Sequence, residues 1–113
     1  RKDIVMIVDK PWGKEHIWAR LPDNYVGKIL YVNAGESLSK QYHETKHETL
    51  LFMSGEARFQ INDAVFDIVL GRSVVIEPGT VHRLTAITDC VIFEVSTDHL
   101  DDVVRIDDLY GRT

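Results

Sequence analysis

"QYHETKHE", residues 41–48, decides the fold, because its two readings need opposite secondary structure. His43-Glu44-x-x-His47 matches H-E-x-x-H. In that pattern a helix sets two histidines one turn apart as zinc ligands, and the glutamate is the general base of a peptidase. The other reading passes over Glu44 and His47. It takes Gln41, His43 and Glu48, spaced Q-x-H-x4-E, as ligands on two strands joined by a short connection. Successive strand side chains alternate between faces, so Gln41 and His43 point the same way. The connection 44–47 lets the chain double back, and Glu48 opens the next strand on the same interior.

The surrounding residues favour strands. A helix through 38–53 would present "LSKQYHETKHETLLFM", whose apolar residues gather at one end instead of forming a stripe. Thr45 and Thr49 are mediocre helix formers. From Thr49 onward the chain reads as strand, and 113 residues leave little room for the second lobe of a helical zinc peptidase. Three ligands undersupply a metal, and "PGTVHRL" offers a fourth, His82, after a turn at Pro78-Gly79.

Strand signals recur through the whole chain. "IVMIV" (4–8), "GKILYV" (27–32), "TLLFM" (49–53), "ARFQI" (57–61), "AVFDIVL" (64–70), "SVVIE" (73–77), "HRLTA" (82–86) and "VIFEV" (91–95) are rich in Val, Ile and Phe and bounded by Gly, Pro, Asn or Asp. Asn62-Asp63 reads as a two-residue hairpin turn. No segment carries a sustained 3.6-residue apolar stripe. The pattern predicts an all-β fold, an antiparallel barrel or sandwich, as one domain over residues 1–113.

Composition narrows the functional classes. Hydrophobic residues are 44% and charged residues 27%, ordinary for a globular domain. No apolar run approaches the roughly 20 residues of a membrane helix. The net charge is −5 with scattered basic residues, which argues against nucleic acid as partner. Cys90 is the single cysteine and lies in the apolar run "DCVIFEV", where a small buried residue is expected. A cytoplasmic location is the expectation. "IVMIV" is apolar on both faces and predicts a strand covered by a second copy, hence a C2 homodimer.

Two motifs now stand out: G-x7-H-x4-E-x6-G (Gly35, His43, Glu48, Gly55) and G-x6-P-G-x2-H (Gly71, Pro78, Gly79, His82). They resemble the two barrel motifs of the cupin superfamily. More narrowly, the chain resembles the cupin domain of type II mannose-6-phosphate isomerases. The likeness rests on Pro11-Trp12-Gly13, Gly35 to His43, Ser54-Gly55, Pro78 to Arg83 and the tail "DDVVRIDDLYGR" (101–112). Departures are Thr49-Leu50 after Glu48 and Lys40 where an apolar residue is common. Bifunctional members of that group carry a nucleotidyltransferase domain before the cupin, and the 113 residues contain none.

The resemblance implies a small jelly-roll barrel around one divalent metal held by Gln41, His43, Glu48 and His82. Two imidazoles, an amide oxygen and a carboxylate suit Zn²⁺, Mn²⁺, Fe²⁺, Co²⁺ or Ni²⁺. The implied reaction is aldose–ketose isomerisation of a sugar or sugar phosphate, with the metal as Lewis acid and a base moving a proton between adjacent carbons. Candidate bases are His47 and Glu44, on the connection beside the ligands. Candidate cations for a substrate phosphate are Lys46, Lys28 and Arg58, with Lys46 expected at the barrel mouth. Arg83 follows a ligand directly, so alternation aims it out of the barrel. An Fe²⁺ dioxygenase and a non-enzymatic carbohydrate- or acid-binding module use the same scaffold and stay open.

Overall fold

The computed structural model describes residues 6–112. Eleven strands follow one another along them: β1 (Met6–Lys10), β2 (Gly13–Leu21), β3 (Tyr25–Val32), β4 (Lys40–Tyr42), β5 (Glu48–Ser54), β6 (Ala57–Ile61), β7 (Ala64–Asp67), β8 (Ser73–Ile76), β9 (His82–Ala86), β10 (Cys90–Thr97) and β11 (Val104–Asp107). They form a six-stranded sheet, β1-β2-β3-β10-β5-β8, and a five-stranded sheet, β11-β4-β9-β6-β7. Pairing is antiparallel throughout. This is a jelly-roll barrel, as expected, and no helix occurs among the described residues.

Period-two burial builds the interior. In β9, His82, Leu84 and Ala86 are buried while Arg83 and Thr85 are not. In β10, Cys90, Ile92, Glu94 and Ser96 are buried while Phe93 and Val95 face out. Phe59, Ile76, Ile92, Val26 and Val32 are the largest fully buried side chains. Phe59 packs edge-on against Phe52 and its ring stacks beside His82 at 6.2 Å. The apolar core therefore runs directly into the polar end of the barrel.

Two glycines explain their motifs. A Cβ on Gly13 (φ +152°) would lie 1.9 Å from the carbonyl oxygen of Tyr31, so Pro11-Trp12-Gly13 passes β3 too closely for any side chain, and Trp12 is buried in the core beside it. A Cβ on Gly55 (φ +91°) would meet the Asp89 carbonyl oxygen at 2.2 Å. Both positions favour glycine on backbone conformation and on space. Asn62 also takes a left-handed φ of 50°, which closes the β6–β7 turn as expected of an asparagine.

The strands depart from the sequence reading in places. β2 and β11 are additional, and β4, the strand expected to carry Gln41 and His43, ends at Tyr42. β2, "GKEHIWARL", mixes four charged or imidazole side chains into its nine residues, so its apolar density is low. The run 64–70 ends as a strand at Asp67. Of "IVMIV", residues 4 and 5 lie outside the described residues, and the strand runs on to Lys10. Met6 and Val8 line the barrel cavity, and Met6 and Ile7 are both exposed. Cys90 is buried and its thiol donates to the carbonyls of Glu56 and Thr88. Among the described residues no helix is long and apolar enough to cross a membrane.

Candidate metal centre

His43, Glu48 and His82 come together at one end of the barrel. Their ligating atoms all lie within 4.8 Å of one another, and all three side chains are buried. His43 directly follows β4, Glu48 begins β5 and His82 begins β9. The glycine turn joins them: the Gly79 N–H donates to the carbonyl of His43 at 2.7 Å, which fixes where the β9 strand starts. Gln41 in β4 stands opposite His82 in β9. It is half-buried on the cavity wall, with its Oε1 accepting from Ser39 Oγ at 3.1 Å.

Hydrogen bonds fix the imidazoles. Nδ1 of His43 lies 2.6 Å from the carbonyl of Asp102, and Nδ1 of His82 lies 2.8 Å from the carbonyl of Thr80. A carbonyl only accepts, so both Nδ1 atoms donate to it, and each ring turns its Nε2 inward as the free ligand atom. Glu48 Oε1 is 3.4 Å from Nε2 of His43 and 3.5 Å from Nε2 of His82. His43 Nε2 is buried with no hydrogen-bond partner. Three acceptors thus face one point. Two atoms about 2.1 Å from a shared ion and tetrahedrally disposed lie about 3.4 Å apart, so the spacing fits a first-row divalent ion.

Behind the three acceptors runs a buried chain of alternating charges. Glu48 Oε2 is 2.8 Å from Lys46 Nζ, which is 3.1 Å from Glu94 Oε2. Lys28 Nζ is 3.9 Å from Glu94 and 2.8 Å from Glu15. Burial works against ionising Glu48, but its contacts with His43 and His82 and the Lys46 charge outweigh it and hold the carboxyl well below its ordinary range. Burial likewise disfavours the Lys46 ammonium, and the charges of Glu94 and Glu48 overcome it, raising its proton affinity. Glu94 is pushed up by burial and by the Glu48 charge, with Lys46 and Lys28 opposing.

Asp102 holds the ligand connection in place. Its carboxylate accepts from the backbone N–H groups of Glu44, Thr45 and Lys46 at 2.9, 2.7 and 2.8 Å. The Glu44 N–H bond, against some desolvation, and those of Lys46 and Thr45 pull its pKa from 3.8 to about 2. The stability this adds is present above 3.8 and is lost as pH falls toward 2. The same residue's carbonyl orients His43. Asp102→Ala should therefore lower metal affinity about 10–100-fold, as loss of outer-shell partners does, while the barrel still folds. Competition against a chelator checks this, with thermal melting as control; unchanged affinity would show that the connection holds itself.

Several sequence-derived residues fall elsewhere. Glu44 and His47 are exposed on the connection, outside the cavity wall, because the strands turn there instead of continuing as a helix. Lys46, expected at the mouth, is buried and paired with two carboxylates. Lys28 lines the cavity in its pair with Glu15. Arg58 lies on the exposed side of β6, 3.3 Å from Asp67, since Ala57 and Phe59 take the inward phase. Arg83 points away from His82, as alternation requires, and donates to the carbonyls of Leu38 and Asp107. The sequence reading did not single out Glu15, Glu94, Asp102 or Arg105, all of which line the cavity of about 300 Å³.

Comparison with known proteins agrees with this architecture. The chain is 37% identical over 111 residues to mannose-1-phosphate guanylyltransferase ManC of Salmonella typhimurium, which covers 93% of this chain and 23% of that protein. It is 31% identical over 111 residues to alginate biosynthesis protein AlgA of Pseudomonas aeruginosa, covering 94% of this chain and 23% of AlgA. The chain thus spans about a quarter of the length of these curated relatives. Among solved structures, the capsular polysaccharide assembling protein CapF of Staphylococcus aureus superposes with a TM-score of 0.79 at 19% identity, over 94% of this chain and 32% of CapF. KdgF from Halomonas sp. gives 0.74 at 15% identity, over 83% and 88%. These likenesses show the fold, and an RmlC-like cupin from Shewanella frigidimarina shares it at a TM-score of 0.75. The family model for the mannose-6-phosphate isomerase C-terminal domain matches residues 2–108, and the chain is a cupin belonging to that family.

Proposed function

We propose that the barrel binds one divalent metal ion through His43, Glu48 and His82, with Gln41 as fourth ligand, and isomerises a small aldose or its phosphate. The carrying observation is the convergence of two Nε2 atoms and one carboxylate oxygen at the end of a half-open cavity. Zn²⁺, Mn²⁺, Fe²⁺, Co²⁺ and Ni²⁺ suit this donor set. Such an ion supplies a Lewis acid for a carbonyl and its neighbouring hydroxyl. The chain's own side chains do the rest. Leu50, Phe59 and Leu84 form the apolar wall beside the ligands and limit water. Glu15 and Glu94 are carboxylates within that wall, and proton transfer at the sugar carbons falls to them, whereas Glu44 and His47 face outside. The relatives' names, which concern mannose 1-phosphate and alginate, support a sugar phosphate as substrate.

Metal-loaded protein incubated with mannose 6-phosphate, and then with free mannose and lyxose, should give the ketose, followed by NMR. Chelation should stop turnover, and adding the metal back should restore it. Metal-replete protein that turns over none of these at roughly millimolar concentration, a usual upper range for KM, would sink the isomerase reading and leave a binding module.

A further inference from the structure

Five cations line the cavity: Lys10, Lys28, Lys46, Arg105 and Arg112. Four of them face a carboxylate. Lys10 and Lys28 face Glu15 at 4.0 and 2.8 Å, Lys46 faces Glu48 at 2.8 Å, and Arg112 faces Asp108 at 2.9 Å. Arg105 has no ion-pair partner among the described residues, and its Nε is buried with no hydrogen-bond partner. The carboxylate of Asp102, on the same wall, is taken up by three backbone N–H groups. A guanidinium cannot shed its charge, and this one is half-buried on the cavity wall with its Nε cut off from water and unpaired, which makes it a site for an anion.

The strand register says where that anion would sit. Arg105 in β11 stands opposite Gln41 in β4, and Gln41 stands opposite His82 in β9. Directly opposed residues of antiparallel strands share a face, so Arg105, Gln41 and His82 form one inward row. Two strand spacings, about 10 Å between backbones, separate Arg105 from His82. A six-carbon sugar with a terminal phosphate has the length to bridge such a row. Arginine also matches phosphate oxygens with its planar fork of donors.

We propose that Arg105 clamps the phosphate of a sugar phosphate whose opposite end reaches His43, Glu48 and His82. The proposal rests on the isomerase reading for the choice of ligand and replaces Lys46 as the phosphate cation, because Lys46 is held between Glu48 and Glu94.

The test is calorimetric binding of mannose 6-phosphate, free mannose and glucuronate to metal-loaded protein, alongside turnover. Arg105→Ala should weaken mannose 6-phosphate binding about 10–100-fold, the size expected from losing charge-assisted hydrogen bonds, and leave free mannose and metal content unchanged. Arg105→Lys keeps the charge but not the fork and should recover part of the loss; it also guards against a misfolded alanine variant. Wild-type affinity for mannose 6-phosphate in Arg105→Ala, or no binding of it by the parent protein, overturns the clamp. Equal, Arg105-dependent binding of glucuronate overturns phosphate as the preferred group. Arg105-dependent binding without turnover supports the clamp and removes the isomerase. Turnover of mannose 6-phosphate that ignores Arg105 keeps the isomerase and removes the clamp.

Discussion

Glu48→Gln should empty the metal centre, lowering affinity by more than about 100-fold, beyond the cost of losing an outer-shell partner. Glu48 Oε1 is the oxygen that both Nε2 atoms face. Its charge is what makes a dication preferable to water at that point, and an amide keeps the shape without the charge. The readout is metal content after dialysis, paired with melting curves. A ligand that binds only the folded chain stabilises it by mass action, about 4 kcal/mol at a thousand times Kd. The parent protein should therefore melt higher with added metal, and Glu48→Gln should not. Glu44→Gln serves as the control, because Glu44 lies exposed on the connection and should leave both measurements unchanged. A metal-dependent rise in Tm of the parental size in Glu48→Gln would show that the three acceptors are not the site.

The clustering of the candidate ligands was legible because its geometry is encoded locally. Two residues of separation put Gln41 and His43 on one face, and a short connection returns Glu48 to it. The same arithmetic identifies part of the charge chain. In β3, Lys28 is in phase with the buried Leu30 and Val32, and in β10, Glu94 is in phase with Cys90 and Ile92. A charge on a core-facing phase needs a partner, and the two meet as register neighbours. Apolar composition misled on this point, since Phe93 and Val95 supplied the strand signal for β10 yet face outward. Asp102 and Arg105 were not legible by periodicity. Asp102 reaches the connection at 44–46 across 56 to 58 residues of sequence, through a pairing of β11 with β4 that spans only a few residues. No local pattern encodes that contact, and only the likeness of the tail to a known motif drew attention to it.

The largest stability loss should come from Lys46→Met. This change strands Glu48 and Glu94 as two buried carboxylates on either side of an apolar side chain. Breaking a buried ion pair by removing one partner costs about 3–5 kcal/mol, because the remaining charge stays desolvated. Lys28, 3.9 Å from Glu94, compensates only in part. The loss should depend on pH in a defined direction. Burial and the Glu48 charge raise the proton affinity of folded Glu94, against Lys46 and Lys28. The folded state therefore gains from a proton there at low pH, and that gain fades as pH rises above the ordinary 4.5. Without Lys46 the preference for a proton strengthens, so the deficit of Lys46→Met should shrink as pH falls from neutral toward the ordinary 4.5. Adding Glu94→Gln should recover part of the loss, since it removes one stranded charge and keeps a side chain of the same shape. Denaturant unfolding of the four proteins of this cycle gives the coupling energy directly. Strictly additive losses would mean that Lys46 and Glu94 do not sense each other, and the charge chain would then have no part in holding Glu48 toward the histidines.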